Sequence, residues 1–118
     1  MKFETIEPQL ELNDPERGFH FLTKKDAIIL NYVDWRNIKV SVVFGTVYSF
    51  SYKVTGPNGD LPAGRMLELM ESRELQKVKK RGLASKDEEI HHYVISTNED
   101  EWCEVVAGKY LIQKVGEN

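Results

Sequence analysis

The sequence predicts an α+β fold, a single twisted antiparallel sheet of about five to seven strands with one helical segment over residues 62–81 packed on one face. Three observations predict it. Residues 38–54 alternate apolar and polar side chains with a period of two, the signature of a sheet with one buried face. Strand-like runs separated by polar turns recur before and after that stretch. Between them lies one segment of helical spacing, which carries Met66, Leu67, Met70, Leu75 and Val78.

Taken in order, residues 1–17 are charged and interrupted by Pro8 and Pro15, so they read either as loosely ordered or as packed on the sheet. Leu10 and Leu12 mark a short edge strand there. Residues 19–22 form the next strand, and Thr23-Lys24-Lys25-Asp26 turns it into Ala27–Val33, apolar on both parities and therefore central. Asp34-Trp35-Arg36-Asn37 makes a corner before the long stretch.

That stretch is too long to run straight. At about 3.3 Å per residue, residues 38–54 would span roughly 56 Å, against a radius of gyration of about 13–14 Å for a chain of this size. Gly45 is the residue suited to a turn or bend. A three-residue loop at Gly45-Thr46-Val47 would pair Phe44 with Tyr48 and Val42 with Phe50, which keeps one face apolar. A bulge would do the same parity work.

Gly56-Pro57-Asn58-Gly59-Asp60 ends the stretch with strong turn chemistry. Pro62 is placed to open the helix and Gly82 to stop it, with Ser72 as a point of division into two shorter helices. Lys77, Lys79, Lys80 and Arg81 favour the helix's negative end. The last third reads as strands 90–97, 101–107 and 109–115. A loop at 98–100 pairs Tyr93 with Val105 and Ile95 with Cys103. One face then carries Tyr93, Ile95, Cys103, Val105 and Ala107; the other carries His92, Val94, Ser96, Trp102, Glu104 and Val106.

Composition narrows the function classes. The 118 residues read as one domain. With 16 basic and 19 acidic side chains the net charge is −3, which gives no electrostatic reason to expect nucleic acid. Cys103 is the single cysteine, so an internal disulfide is excluded and a cytoplasmic location is expected. No apolar run suits a leader or a membrane span, so no membrane role is expected.

No constellation of catalytic residues stands out, so the reading leans away from an enzyme and expects no cofactor and no metal. His91 and His92 are adjacent in a strand and point to opposite faces, so they do not share a metal. His20 reads as solvent-facing. Acidic neighbours Asp100, Glu101 and Glu104 would hold Cys103 protonated, and its register makes it a buried, inert thiol. Lys77-Val78-Lys79-Lys80-Arg81 reads as a solvated helix end. The aromatic face of Tyr48, Phe50, Tyr52 and Tyr93 reads as core beneath the helix, or else as the wall of a ligand cavity.

Val40-Ser41-Val42-Val43-Phe44-Gly45-Thr46-Val47-Tyr48-Ser49-Phe50, and His92-Tyr93-Val94-Ile95-Ser96-Thr97 with Trp102-Cys103-Glu104-Val105-Val106-Ala107, resemble segments of small bacterial proteins. Some of these are similar to immunity proteins of polymorphic toxin systems. The resemblance implies a single-domain cytoplasmic binder that neutralises a toxin without catalysis. The leading expectation is accordingly a non-enzymatic protein-interaction domain. Its partner would be another protein, met through Glu99, Asp100 and Glu101 or a sheet edge, which would also serve a homo-oligomer. The competing expectation is a small-ligand binder or enzyme on the aromatic sheet face, using His92, Trp102 and Glu104. A cavity above roughly 300 Å³ with convergent histidine and carboxylate groups would favour it.

Overall fold

Residues 38–54 do not turn back on themselves. In the computed structural model, which describes residues 3–6, 9–12, 15, 18–54, 62–83, 88–98 and 101–115, they form one strand, β4 (Lys39–Lys53). Around it lie β1 (Phe3–Thr5), β2 (His20–Lys24), β3 (Ala27–Val33), β5 (Met66–Leu69), the helix α1 (Arg73–Lys80), β6 (His91–Ser96) and β7 (Trp102–Val115). The seven strands make one antiparallel sheet in the order β1-β5-β6-β7-β4-β3-β2.

The expected loop at Gly45-Thr46-Val47 is absent, and the parity change is made within the strand. Thr46 takes a φ of 52°, and the register with β7 shifts between Val47 and Ser49. Val40, Val42 and Phe44 face the core before this point, and Val47 and Phe50 pack against it afterwards. Tyr48 crosses to the other side, beside Val78, Ile90 and Val106. The cross-strand partners of Phe44, Val42 and Val40 are therefore Ile28, Leu30 and Tyr32 of β3 rather than residues of the same stretch. Gly108 lies inside β7, so residues 101–107 and 109–115 are one strand and not two. The core-facing residues of β7 switch there from Cys103, Val105 and Ala107 to Tyr110 and Ile112.

The bend lets the long strand fit within the molecule. Fifteen residues drawn straight would reach roughly 50 Å, and the longest dimension of the molecule is 44 Å with a radius of gyration of 14.1 Å. Irregularities of this kind let strands turn a corner between two packed layers. Accordingly Phe21 of β2 meets Phe50 and Tyr52 of the non-adjacent β4 at ring separations of 4.9 and 5.0 Å. Leu30, Tyr32, Val42 and Phe44 then share a core with Met66, Tyr93, Ile95, Cys103 and Val105.

The helical reading of residues 62–81 is corrected over its first half. Met66–Leu69 is a strand that pairs with β6 on one side and β1 on the other. Four apolar-rich residues fit a strand and a helix equally well, and the edge of β6 supplies the backbone partners. Both sides of β5 are buried: Met66 joins the main core, while Leu67 and Leu69 pack with Val94 and Trp102. Pro62 accordingly precedes a strand. Glu71 at φ 53° reverses the chain, and Ser72 caps the helix by accepting the Leu75 amide at 3.0 Å. Gly82, at φ 69°, follows its end as expected. Val78 of α1 is buried with Ile90 and Val106, beside Tyr48 and Leu75, so its apolar contacts do not lie on the main aromatic core.

Leu10 and Leu12 are buried in the core although they belong to no strand; the edge strand is Phe3–Thr5. Gln9 holds this segment by donating to the Met66 carbonyl at 2.9 Å and accepting its amide at 3.0 Å. Tyr93 pairs with Val105 and Ile95 with Cys103, as the alternation requires. The turn expected at residues 56–60 lies outside the described residues.

Candidate functional site

Strand alternation separates the two adjacent histidines and gives them different surroundings. His92 is 2% exposed. Its Nδ1 lies 2.8 Å from Ser72 Oγ, and its Nε2 lies 2.9 Å from Glu104 Oε1. The other carboxylate oxygen of Glu104 accepts the indole N–H of Trp102 at 2.8 Å. In the β6–β7 register Val94 pairs with Glu104 and His92 with Val106, so His92 and Glu104 are diagonal neighbours on one face. Trp102, two residues before Glu104, shares that face and is anchored among Leu67, Leu69 and Val94. Ser72 arrives from the turn between β5 and α1.

A neutral His92 ring gives these hydrogen bonds one consistent direction. The Leu75 amide donates to Ser72 Oγ. With an ionised Glu104 accepting from Nε2, a neutral ring leaves Nδ1 bare to accept the Ser72 hydroxyl proton. The His92 hydrogen bond holds the Glu104 carboxyl below its usual range against the opposing effect of burial, and the Trp102 indole adds to it.

This chain of groups borders open space. A cavity of about 580 Å³ is lined by Leu69, Met70, Ser72, Glu74, His92 and Glu104, with Glu71 and Arg73 beside them. A second, of about 340 Å³, shares Glu74, His92 and Glu104 and adds Ser49, Ser51 and Lys53. The apolar floor of Leu69 and Met70 lies beside several hydrogen-bonding groups, the usual make-up of a small-molecule site.

The other candidates stand elsewhere. His91 Nδ1 is 2.6 Å from Glu68 and its Nε2 2.9 Å from Glu89. Burial opposes its charge, but these two carboxylates outweigh burial and raise its pKa. His20 is exposed. Among the described residues, no three of His, Cys, Asp and Glu are grouped to hold a metal ion. Cys103 is buried, and burial pushes its thiol well above the usual range, with Glu104 adding to the effect. Lys77, Lys79, Lys80 and Arg81 are exposed around the helix end.

Glu99 and Asp100 lie outside the described residues. Glu101 accepts the Phe19 amide at 3.0 Å and the Tyr52 hydroxyl at 2.8 Å. It also lies against Gly18, where a Cβ would come within 2.5 Å of its Oε1. Of the four residues of the expected aromatic face, Tyr93 is packed, meeting Phe44 at 5.5 Å and Tyr110 at 5.2 Å; Phe50 is half-buried, Tyr52 is exposed and Tyr48 lies on the other side. The polar site is therefore on the opposite face of β6 from Tyr93. Among the described residues, no helix is long and apolar enough to cross a membrane.

The alternation of β6 and β7 puts His92, Trp102 and Glu104 on one face, whereas Ser72, read as a point of division in the helical segment, and Glu74 were not among the residues expected at a site. The available signal was Ser72 followed by Glu74, a capping residue with an acid in the first turn. No family model, no curated protein and no solved structure matches the chain.

Proposed function

We propose that the chain binds a small organic molecule in the cavity beside Ser72, His92 and Glu104. The observation that carries this reading is a buried histidine, hydrogen-bonded at both nitrogens, on the wall of a cavity of about 580 Å³. That volume lies within the range of roughly 300–1,000 Å³ typical of ligand pockets. The ligand would lay an apolar part on Leu69 and Met70 and direct a polar group towards His92. Glu71, Arg73 and Glu74 give the rim both signs of charge, which suits a polar substituent.

A protein-docking role of the immunity type through residues 99–101 draws less support, because Glu101 is held by Phe19 and Tyr52. The test is a titration of isotope-labelled protein with a library of small amines, alcohols and esters, read by amide chemical shifts. The reading predicts changes confined to residues 69–74 and their neighbours on β6 and β7. A library without effect, or changes centred on Phe19 and Glu101, would overturn it.

A further inference from the structure

We infer that Ser72 is a nucleophile and that the chain hydrolyses small carboxylic esters in this cavity, an inference that rests on the cavity being a binding site. Ser72, His92 and Glu104 form an unbroken hydroxyl–imidazole–carboxylate chain with separations of 2.8 and 2.9 Å. This is the arrangement by which a serine is activated, with a base to take its proton and an acid to orient the base. Trp102 fixes the acid from its far side. The cavity reaches all three members of the chain.

The location of Ser72 supplies the remaining component. As the cap of α1 it precedes Arg73 and Glu74, whose first-turn amides have no acceptor within the helix. Such amides stabilise the negative oxygen that forms when a carbonyl is attacked. The Leu75 amide occupies one lone pair of Oγ; with His92 protonated on Nε2 alone, the hydroxyl proton is directed at Nδ1, 2.8 Å away, and the second lone pair is left for attack.

The steps balance. Ser72 Oγ bonds to the ester carbon as its proton passes to His92 Nδ1, and the carbonyl pair moves to oxygen. Collapse breaks the bond to the alkoxide, which leaves with the proton from Nδ1. Water then gives a proton to Nδ1 and its oxygen attacks the acyl-serine. Ser72 departs and recovers the proton, so ester and water have become acid and alcohol. Glu104 acts as a positioning residue.

A fluorophosphonate probe tests this directly, since a nucleophilic serine displaces fluoride from its phosphorus and HF is lost. Intact-mass and peptide analysis should find one adduct per chain, on Ser72. Ser72→Asn keeps a capping side chain and the fold but should give no adduct. In Glu104→Gln, turnover of p-nitrophenyl butyrate should fall in kcat on the order of a hundredfold, with KM little changed. An unlabelled wild-type chain, or an adduct that persists in Ser72→Asn, overturns the inference. A chain that shifts amide signals at residues 69–74 with ligand yet escapes the probe retains the binding site and loses only the catalysis.

Discussion

The two faces of β6 differ in kind although one six-residue strand makes both. On one side Tyr93 and Ile95 enter a core of aromatic and aliphatic side chains, where Tyr93 meets Tyr110 edge to face. On the other, His92 is equally buried but is held by hydrogen bonds to Ser72 and Glu104 and opens on a cavity. Burial alone therefore does not separate a structural face from a candidate site. The distinction is how the buried groups are satisfied, since packing needs only shape while a buried imidazole needs partners at both nitrogens.

The largest effect is expected on the packed side. Phe44→Ala removes a fully buried ring and should cost about 3–5 kcal/mol, read as a lowered midpoint in denaturant unfolding. It should leave the hydrogen bonds of His92 unchanged wherever the protein remains folded. A smaller cost is expected at the corner before β4. There the buried Asp34 accepts the Arg36 and Ile38 amides at 2.8 and 3.0 Å and pairs with the Arg36 guanidinium at 2.7 Å. Asp34→Ala leaves those amides without their acceptor and should cost about 2 kcal/mol.

On the polar side, Ser72→Ala should cost about 1 kcal/mol as a lost cap, and Ser72→Asn distinctly less. Equal costs for the two would show that the cap is not what Ser72 contributes to stability. The pH dependence is subtler and opposite in sign for two groups. Glu104 titrates below its ordinary 4.5, so its stabilising effect is present above that value and lost as pH falls through the lower folded value. His91 titrates above its ordinary 6.5, so its contribution is complete below that value and is lost as pH rises through the higher folded one. Unfolding midpoints across pH should show Glu104→Gln flattening the acid limb and His91→Gln the alkaline one.

Much of the comparison was legible in the residues. Alternation and the short loop gave the β6–β7 register, so His92, Trp102 and Glu104 were legible as sharing one face, which is the one opposite Tyr93 rather than the aromatic face. The length of residues 38–54 required a bend, and parity required an irregularity near Gly45. Two continuations were not legible. Whether a parity change closes a hairpin or lies within a strand depends on a distant partner, here β7, which pairs along all of β4. Residues 66–69 are too few to reveal their period, and their strand exists because β6 offers an edge. Ser72 was legible as the break in the helical segment, but its hydrogen bond to His92 was not, because it depends on how the β5–α1 turn folds against β6.

The most direct measurement is the tautomer of His92, read from long-range couplings of its ring nitrogens above neutral pH. A chain of hydrogen bonds running from Leu75 through Ser72 to Glu104 predicts a proton on Nε2 and a bare, accepting Nδ1. A proton on Nδ1 with Nε2 bare would contradict it, because Ser72 would then have no base to receive its proton.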